Sequence, residues 1–221
     1  MGEVGQDEGA GAGHGIRWLA EVRWDLDGVV FARGIPPLEL ARRMGADPAV
    51  GTEPISGTEV WDLDIESYRP GEDGDGVVRV GEAGGWSFAI EYGDSTGADR
   101  LTEIARDGVE VVHYRPMPEH PPAMFDYARD GAAVCGFGLG EERWRWGQEP
   151  DLLLPELVAA RVLEVDGVTS VEREQEEDYA AVRTRTLGVI ERRFGLDLPR
   201  AVLGELLLPA YAVRGTPGMG L

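Results

Sequence analysis

The 221-residue chain sets 41 Asp and Glu against 21 Lys and Arg positions, every one of the latter an arginine, for a formal net charge of −20. Nucleic-acid affinity rests on cations that displace counterions from phosphate, so a surface this acidic argues against nucleic-acid and anionic-membrane partners. Apolar residues make up 43% of the chain, enough to bury a core and to exclude a disordered protein.

The N-terminus, MGEVGQDEG, is acidic and glycine-rich and lacks the basic flank and apolar run of a signal peptide. Residues 1–15 read as a disordered tail, residues 16–214 as one domain, and 215–221 as a flexible C-terminus. The single cysteine, Cys135, cannot form an internal disulfide, which suits a reducing cytoplasm. The most apolar stretch, AVLGELLLPAYAV at 201–213, is too short to span a bilayer and contains Glu205 and Pro209.

GIPPLELARRMGADP (34–48) has the punctuation of a short helix: Pro36 and Pro37 for the first turn, Glu39 four residues before Arg43, and Gly45 for the stop. It looks like the first helix of a helix-turn-helix, but no cationic recognition helix follows. A second helix is expected over 57–67, then a loop through RPGEDGDG (69–76). The period then changes to two. Trp86, Phe88, Ile90 and Tyr92 alternate with Ser87, Ala89 and Glu91, the pattern of a half-buried strand, and Val78 and Val80 lie in the strand before it. Gly84 and Gly85 sit where a tight hairpin needs positive φ. A helix is expected over 97–107, a strand over VEVVHYR (109–115), and a second hairpin over 124–138 turning at Arg129-Asp130-Gly131. After Gly147 the pattern is helical: one helix in 150–165, a long one opened by Thr169 and Glu172 as a capping box and running to Phe194, and a last one starting at Asp197-Leu198-Pro199. In the long helix Tyr179, Val182, Ile190 and Phe194 are expected to face inward. The sum is an α+β fold, a central antiparallel sheet of about five strands with N-terminal helices and a C-terminal helical layer.

Several stretches imitate sites. Gly85-Trp86-Ser87-Phe88-Ala89 approaches the nucleophile elbow, but that motif needs a helix after the serine, and Ser87 lies inside a strand. Histidines number three, His14, His113 and His120, and none has metal-ligand spacing with the acids or Cys135. No metal or other cofactor is expected. Asp62, Asp64 and Glu66 stand at alternate positions, which on a strand would share one face, and solvated surface is the expected use. His113 could lie on a strand beside Cys135, giving a thiol–imidazole pair. Arg143-Trp144-Arg145-Trp146 alternates the two residue types enriched at binding hot spots, with plugging of the core as the other use for its tryptophans.

The order of segments resembles a family of actinobacterial proteins of unknown function. The matching pieces are Gly34-Ile35-Pro36-Pro37 through Ala46, Gly85-Trp86-Ser87 through Glu91, Phe125 through Asp130-Gly131, and Gly147 through Pro150-Asp151. Phe194-Gly195-Leu196 with the segment after it is similar as well. The resemblance implies that the glycine–tryptophan hairpin is structural and carries no catalytic residue across.

Two functions follow. The first is a non-catalytic protein-interaction or regulatory, immunity-like module. It would meet a basic partner through Arg143, Trp144, Arg145 and Trp146 and through the acids Glu174, Glu176 and Glu177 of the run 172–178. The alternative is an enzyme with a small-molecule pocket beside the sheet, using a carboxylate such as Glu91 or the Cys135–His113 pair.

Overall fold

The computed structural model describes residues 14–62, 76–93, 96–171 and 179–213. Its first strand, β1 (Gly28–Arg33), is buried from Gly28 to Ala32, so it reads as an unbroken apolar run with no alternation. A strand apolar on both sides belongs in the middle of a covered sheet. There it pairs antiparallel with β3 (Trp86–Tyr92) on one side and β4 (Glu110–Arg115) on the other.

The two hairpins fold as their glycines dictate. Gly84 and Gly85, at φ 58° and 79°, join β2 (Gly76–Ala83) to β3. Asp130 and Gly131, at φ 51° and 78°, join β5 (Met124–Arg129) to β6 (Ala132–Gly138). Two short strands close the edges, β7 (Arg145–Trp146) beside β6 and β8 (Ala210–Val213) beside β2. Among the described residues the result is one antiparallel sheet of eight strands, in the order β7-β6-β5-β4-β1-β3-β2-β8. The expectation of about five strands is corrected by β1, β7 and β8. Of these, β1 lacks alternation and β7 is two residues long. β8 lies in an apolar stretch whose preceding turn, Arg200–Leu203, is a 3-10 helix in place of the last α-helix expected.

The sheet separates two cores. On one face α1 (Pro37–Arg43) and, after α2 (Thr96–Asp99), α3 (Leu101–Ile104) cover Val30, Val78, Val80, Ala89 and Val111. Arg42 and Arg43 grip Glu39 within α1 and hold its carboxyl down, at about 2. On the other face, the larger core gathers Phe31, Trp86, Phe88, Ile90, Phe125 and Phe137 beneath α4 (Leu154–Ala159) and α5 (Tyr179–Phe194). α5 packs on the 3-10 turn Arg17–Glu21 and stops at Gly195, φ 67°. Val182, Ile190 and Phe194 are buried as expected, whereas Tyr179 is exposed and gives its hydroxyl to the Leu139 carbonyl at 2.7 Å. Glu172 of the expected capping box lies outside the described residues, and Thr169 bonds Asp166.

Candidate functional site

The Arg143–Trp146 segment divides its labour differently from its sequence pattern. Arg145 is the structural member. It donates to Asp151 at 2.8 Å and to the carbonyls of Glu142 and Gly167, and its side chain is almost wholly covered. The tryptophans do not plug the core. Trp144 is 64% exposed, with the Arg143 guanidinium 5.3 Å from its ring, and Trp146 is 40% exposed. Trp146 lies over Gly136, where a methyl group would collide with its indole, and donates to Asp126 at 3.1 Å. Glu174, Glu176 and Glu177 fall outside the described residues.

The thiol–imidazole pair does not form. Cys135 is paired in register with Tyr127 and belongs to the larger core, where its thiol donates to the Pro150 carbonyl. His113 alternates with Val112 and Tyr114 of that core, so it points to the other face. Burial pushes the Cys135 thiol up to about 12, the reverse of an activated nucleophile. What His113 meets is Glu91, Nε2 to Oε2 at 2.8 Å, with both side chains fully buried. Gly28 makes the meeting possible, because a methyl group on that central strand would collide with the same carboxylate. Glu91 also accepts from the Gly97 amide at 2.6 Å, while His113 Nδ1 has no partner. Ser87, also buried on this face, donates to the Ile35 carbonyl. Among the described residues no group of three or more His, Cys, Asp or Glu could hold a metal ion, and no helix is long and apolar enough to cross a membrane.

Two adjoining concavities lie at one end of the sheet, where Val22–Trp24, the proline-rich connection between β4 and β5, and the start of α5 converge; another, of about 410 Å³, lies between α4 and α5. One cavity of about 490 Å³ is walled by Trp24, Pro116, Pro118, Pro122 and Tyr179, with Arg183 in its lining. A second, of about 340 Å³, shares Arg23, Trp24 and Pro116 to Pro118 with it and adds Arg115, Glu119 and His120. Proline fixes its own φ and has no N–H, so this connection offers rigid apolar walls. Trp24 stands 63% exposed above both cavities. Arg183, on α5, is 7% exposed; its Nη2 donates to the Tyr114 hydroxyl at 2.9 Å and, more weakly, to the Leu19 carbonyl at 3.4 Å. Burial pushes the Tyr114 phenol up, and the Arg183 guanidinium opposes that push.

These residues run from Val22 to Arg183, within a stretch that one family model matches from residue 18 to residue 205. The chain belongs to the DUF6461 family, a family of unknown function. The DUF6461 match takes in the whole sheet except β8, both cavities and the Arg143–Trp146 segment. No curated protein and no solved structure matches the chain.

Sequence reasoning found Trp144, Trp146, Glu91 and His113 as residues of interest but missed Trp24 and Arg183. Trp24 in WDLDG stands two residues from the buried Leu26 and carries a weak surface signal in its flanking acids. Arg183 has a signal in its helical spacing, four residues before Leu187 and seven before Ile190 on the buried face, which sets it apart from the other arginines between residues 183 and 200.

Proposed function

We propose that this DUF6461 protein is a non-catalytic binding module, regulatory or immunity-like in kind, that meets another protein. The observation that carries the reading is the exposure of four of its six tryptophans: Trp24, Trp61, Trp144 and Trp146. Tryptophan out of water is worth more than tryptophan in it, and this residue type is enriched at binding hot spots. Two of the four lie on one continuous strip. Trp24 and Arg115 share a cavity, Arg115 lies 4.0 Å from Asp126, and Asp126 accepts from Trp146. The net charge of −20 favours a basic partner and a fast, salt-sensitive encounter. The buried Cys135 is in keeping with a reducing, cytoplasmic setting.

The enzymatic alternative draws less support from the geometry. Glu91 and His113 are paired, but neither reaches solvent or lines either cavity. A carboxylate–imidazole bond so enclosed serves to tie β3 to β4 across Gly28.

The test is retention of proteins from the source cell on immobilised wild-type chain, compared with Trp24→Ala and Trp146→Ala. A common partner lost from both variants, and released by raised salt as the Debye length shrinks to ~3 Å at 1 M, is the expected result. A retained set indifferent to both substitutions and to salt would sink the reading.

A further inference from the structure

We propose that the cavity beneath Trp24 is a binding site for a monocarboxylate carried on a flat, apolar body, with Arg183 as its counter-charge. The argument begins with a deficit. Arg183 is buried with its guanidinium 5.8 Å from the Tyr179 ring; among the described residues its Nε has no acceptor, and the hydrogen bonds it gives come from Nη2. It forms no ion pair with any described carboxylate, although Glu141 lines the same cavity. Taking a charge out of water is costly unless it is paired and fully hydrogen-bonded, so buried charges that persist have a partner.

The second buried guanidinium shows what a self-sufficient arrangement looks like. Arg79 is wholly enclosed, and its three nitrogens donate to the carbonyls of Ile55, Val202 and Leu206 and to the Tyr92 hydroxyl. It lines neither cavity of the groove. Arg183 lacks that cage and borders about 490 Å³ of open space instead, a volume within the ~300–1,000 Å³ range of small-molecule sites.

The walls choose the rest of the ligand. Trp24, Tyr179 and the prolines at 116, 118, 121 and 122 present flat apolar surface, suited to a planar body. A guanidinium with unused N–H groups is matched to a carboxylate. The net charge of −20 selects against polyanions, which the whole molecule repels, and leaves a singly charged acid as the best fit. Such a carboxylate could be a free organic acid or the C-terminus of a peptide, and both present the same chemistry to Arg183. The inference does not depend on the protein-binding reading.

The test titrates phenylacetate into the full chain and follows the arginine Nε–H and tryptophan indole signals by nitrogen-15 NMR. Saturable shifts of the Arg183 and Trp24 signals are expected, with none from phenylacetamide, its neutral counterpart. Arg183→Met should weaken phenylacetate roughly tenfold or more, the scale of one charge-assisted hydrogen bond. Trp24→Ala changes an exposed side chain, so it should weaken binding without moving the melting temperature, which keeps the test decisive if Arg183→Met folds poorly. A peptide ending in phenylalanine, free or amidated, separates the sources. Tighter binding of the free peptide than of phenylacetate supports a chain terminus, and tighter binding of phenylacetate supports a free acid. Equal binding of phenylacetate and phenylacetamide, stronger binding of inorganic phosphate, or no saturable shift would each overturn the proposal.

Discussion

Arg79 and Arg183 leave the water on the same side of the sheet, and the protein treats them in opposite ways. Arg79 projects from β2 into the larger core and is met by three carbonyls and a phenol, drawn from three separate segments. Gly57 lets one of those segments come close, since a methyl group there would collide with the Leu203 carbonyl. Arg183 gives one good hydrogen bond and one long one, lies 5.8 Å from the Tyr179 ring, and borders a cavity. Burial alone therefore says little about a charge. The completeness of its acceptors separates a cation that holds the fold together from one kept ready for something else.

The largest effect should come from removing the complete arrangement. Arg79→Met leaves the Val202 and Leu206 carbonyls and the Tyr92 hydroxyl without this donor, while Ile55 keeps the Leu208 amide; at ~1–3 kcal/mol for each of the three groups stranded, a total loss of roughly 3–9 kcal/mol is expected in denaturant titration. A near-neutral result would break the comparison at its stronger end.

Trp86→Ala calibrates that loss against an apolar one in the same core. Trp86 is 1% exposed, donates to the Phe194 carbonyl and carries the Arg33 guanidinium 4.6 Å from its ring. Truncating it should cost ~3–5 kcal/mol, read in the same titration.

Arg183→Met should change stability by no more than about 1 kcal/mol in the absence of ligand, because an apolar chain of similar volume replaces a charge with no carboxylate partner among the described residues. A loss as large as that of Arg79→Met would assign Arg183 to the scaffold.

The effect that is smallest near neutral pH is set by titration. Burial pushes the Cys135 thiol from 9.0 to about 12 and, with help from Glu110, the Tyr127 phenol from 10.0 to about 12. The unfolded chain thus releases these protons before the folded one does. Stability should be full below about pH 9 and decline as pH rises toward 12, followed by melting temperature. At pH 8 the folded protein should resist thiol alkylation.

How much of this was legible in the sequence follows from what each residue's neighbours reveal. The hairpins declared themselves, because Gly84-Gly85 and Asp130-Gly131 punctuate runs of period two and sit at positive φ. β1 did not, since Val29, Val30, Phe31 and Ala32 put apolar side chains on both faces, whereas β3, equally buried, keeps Ser87 and Glu91 on one of them. Strand order placed Cys135 and His113 within plausible reach, but reach is decided by face. The register sets Cys135 against Tyr127 and His113 against Asp126, and the irregularity between Tyr127 and Ala128 disturbs any simple count along β6. The groove was the least visible part. It is assembled from segments around residues 23, 118, 140 and 183, and helical spacing puts Arg183 on the buried face of α5 without revealing the cavity it borders.

The place of β1 bears on how the chain is made. It is synthesised first among the strands, yet its partners begin at Trp86 and Glu110, so a nascent chain carries the apolar run GVVFA for more than fifty residues before either neighbour exists. Until then the halves β2–β3 and β4–β5–β6 have nothing to join them, because β1 is the seam between them. Pairings this distant in sequence form slowly and leave bare strand edges in the meantime. β1 therefore waits until β3 has emerged for its first partner and until β4 has emerged for its second, and in that interval its apolar run has an unpaired edge.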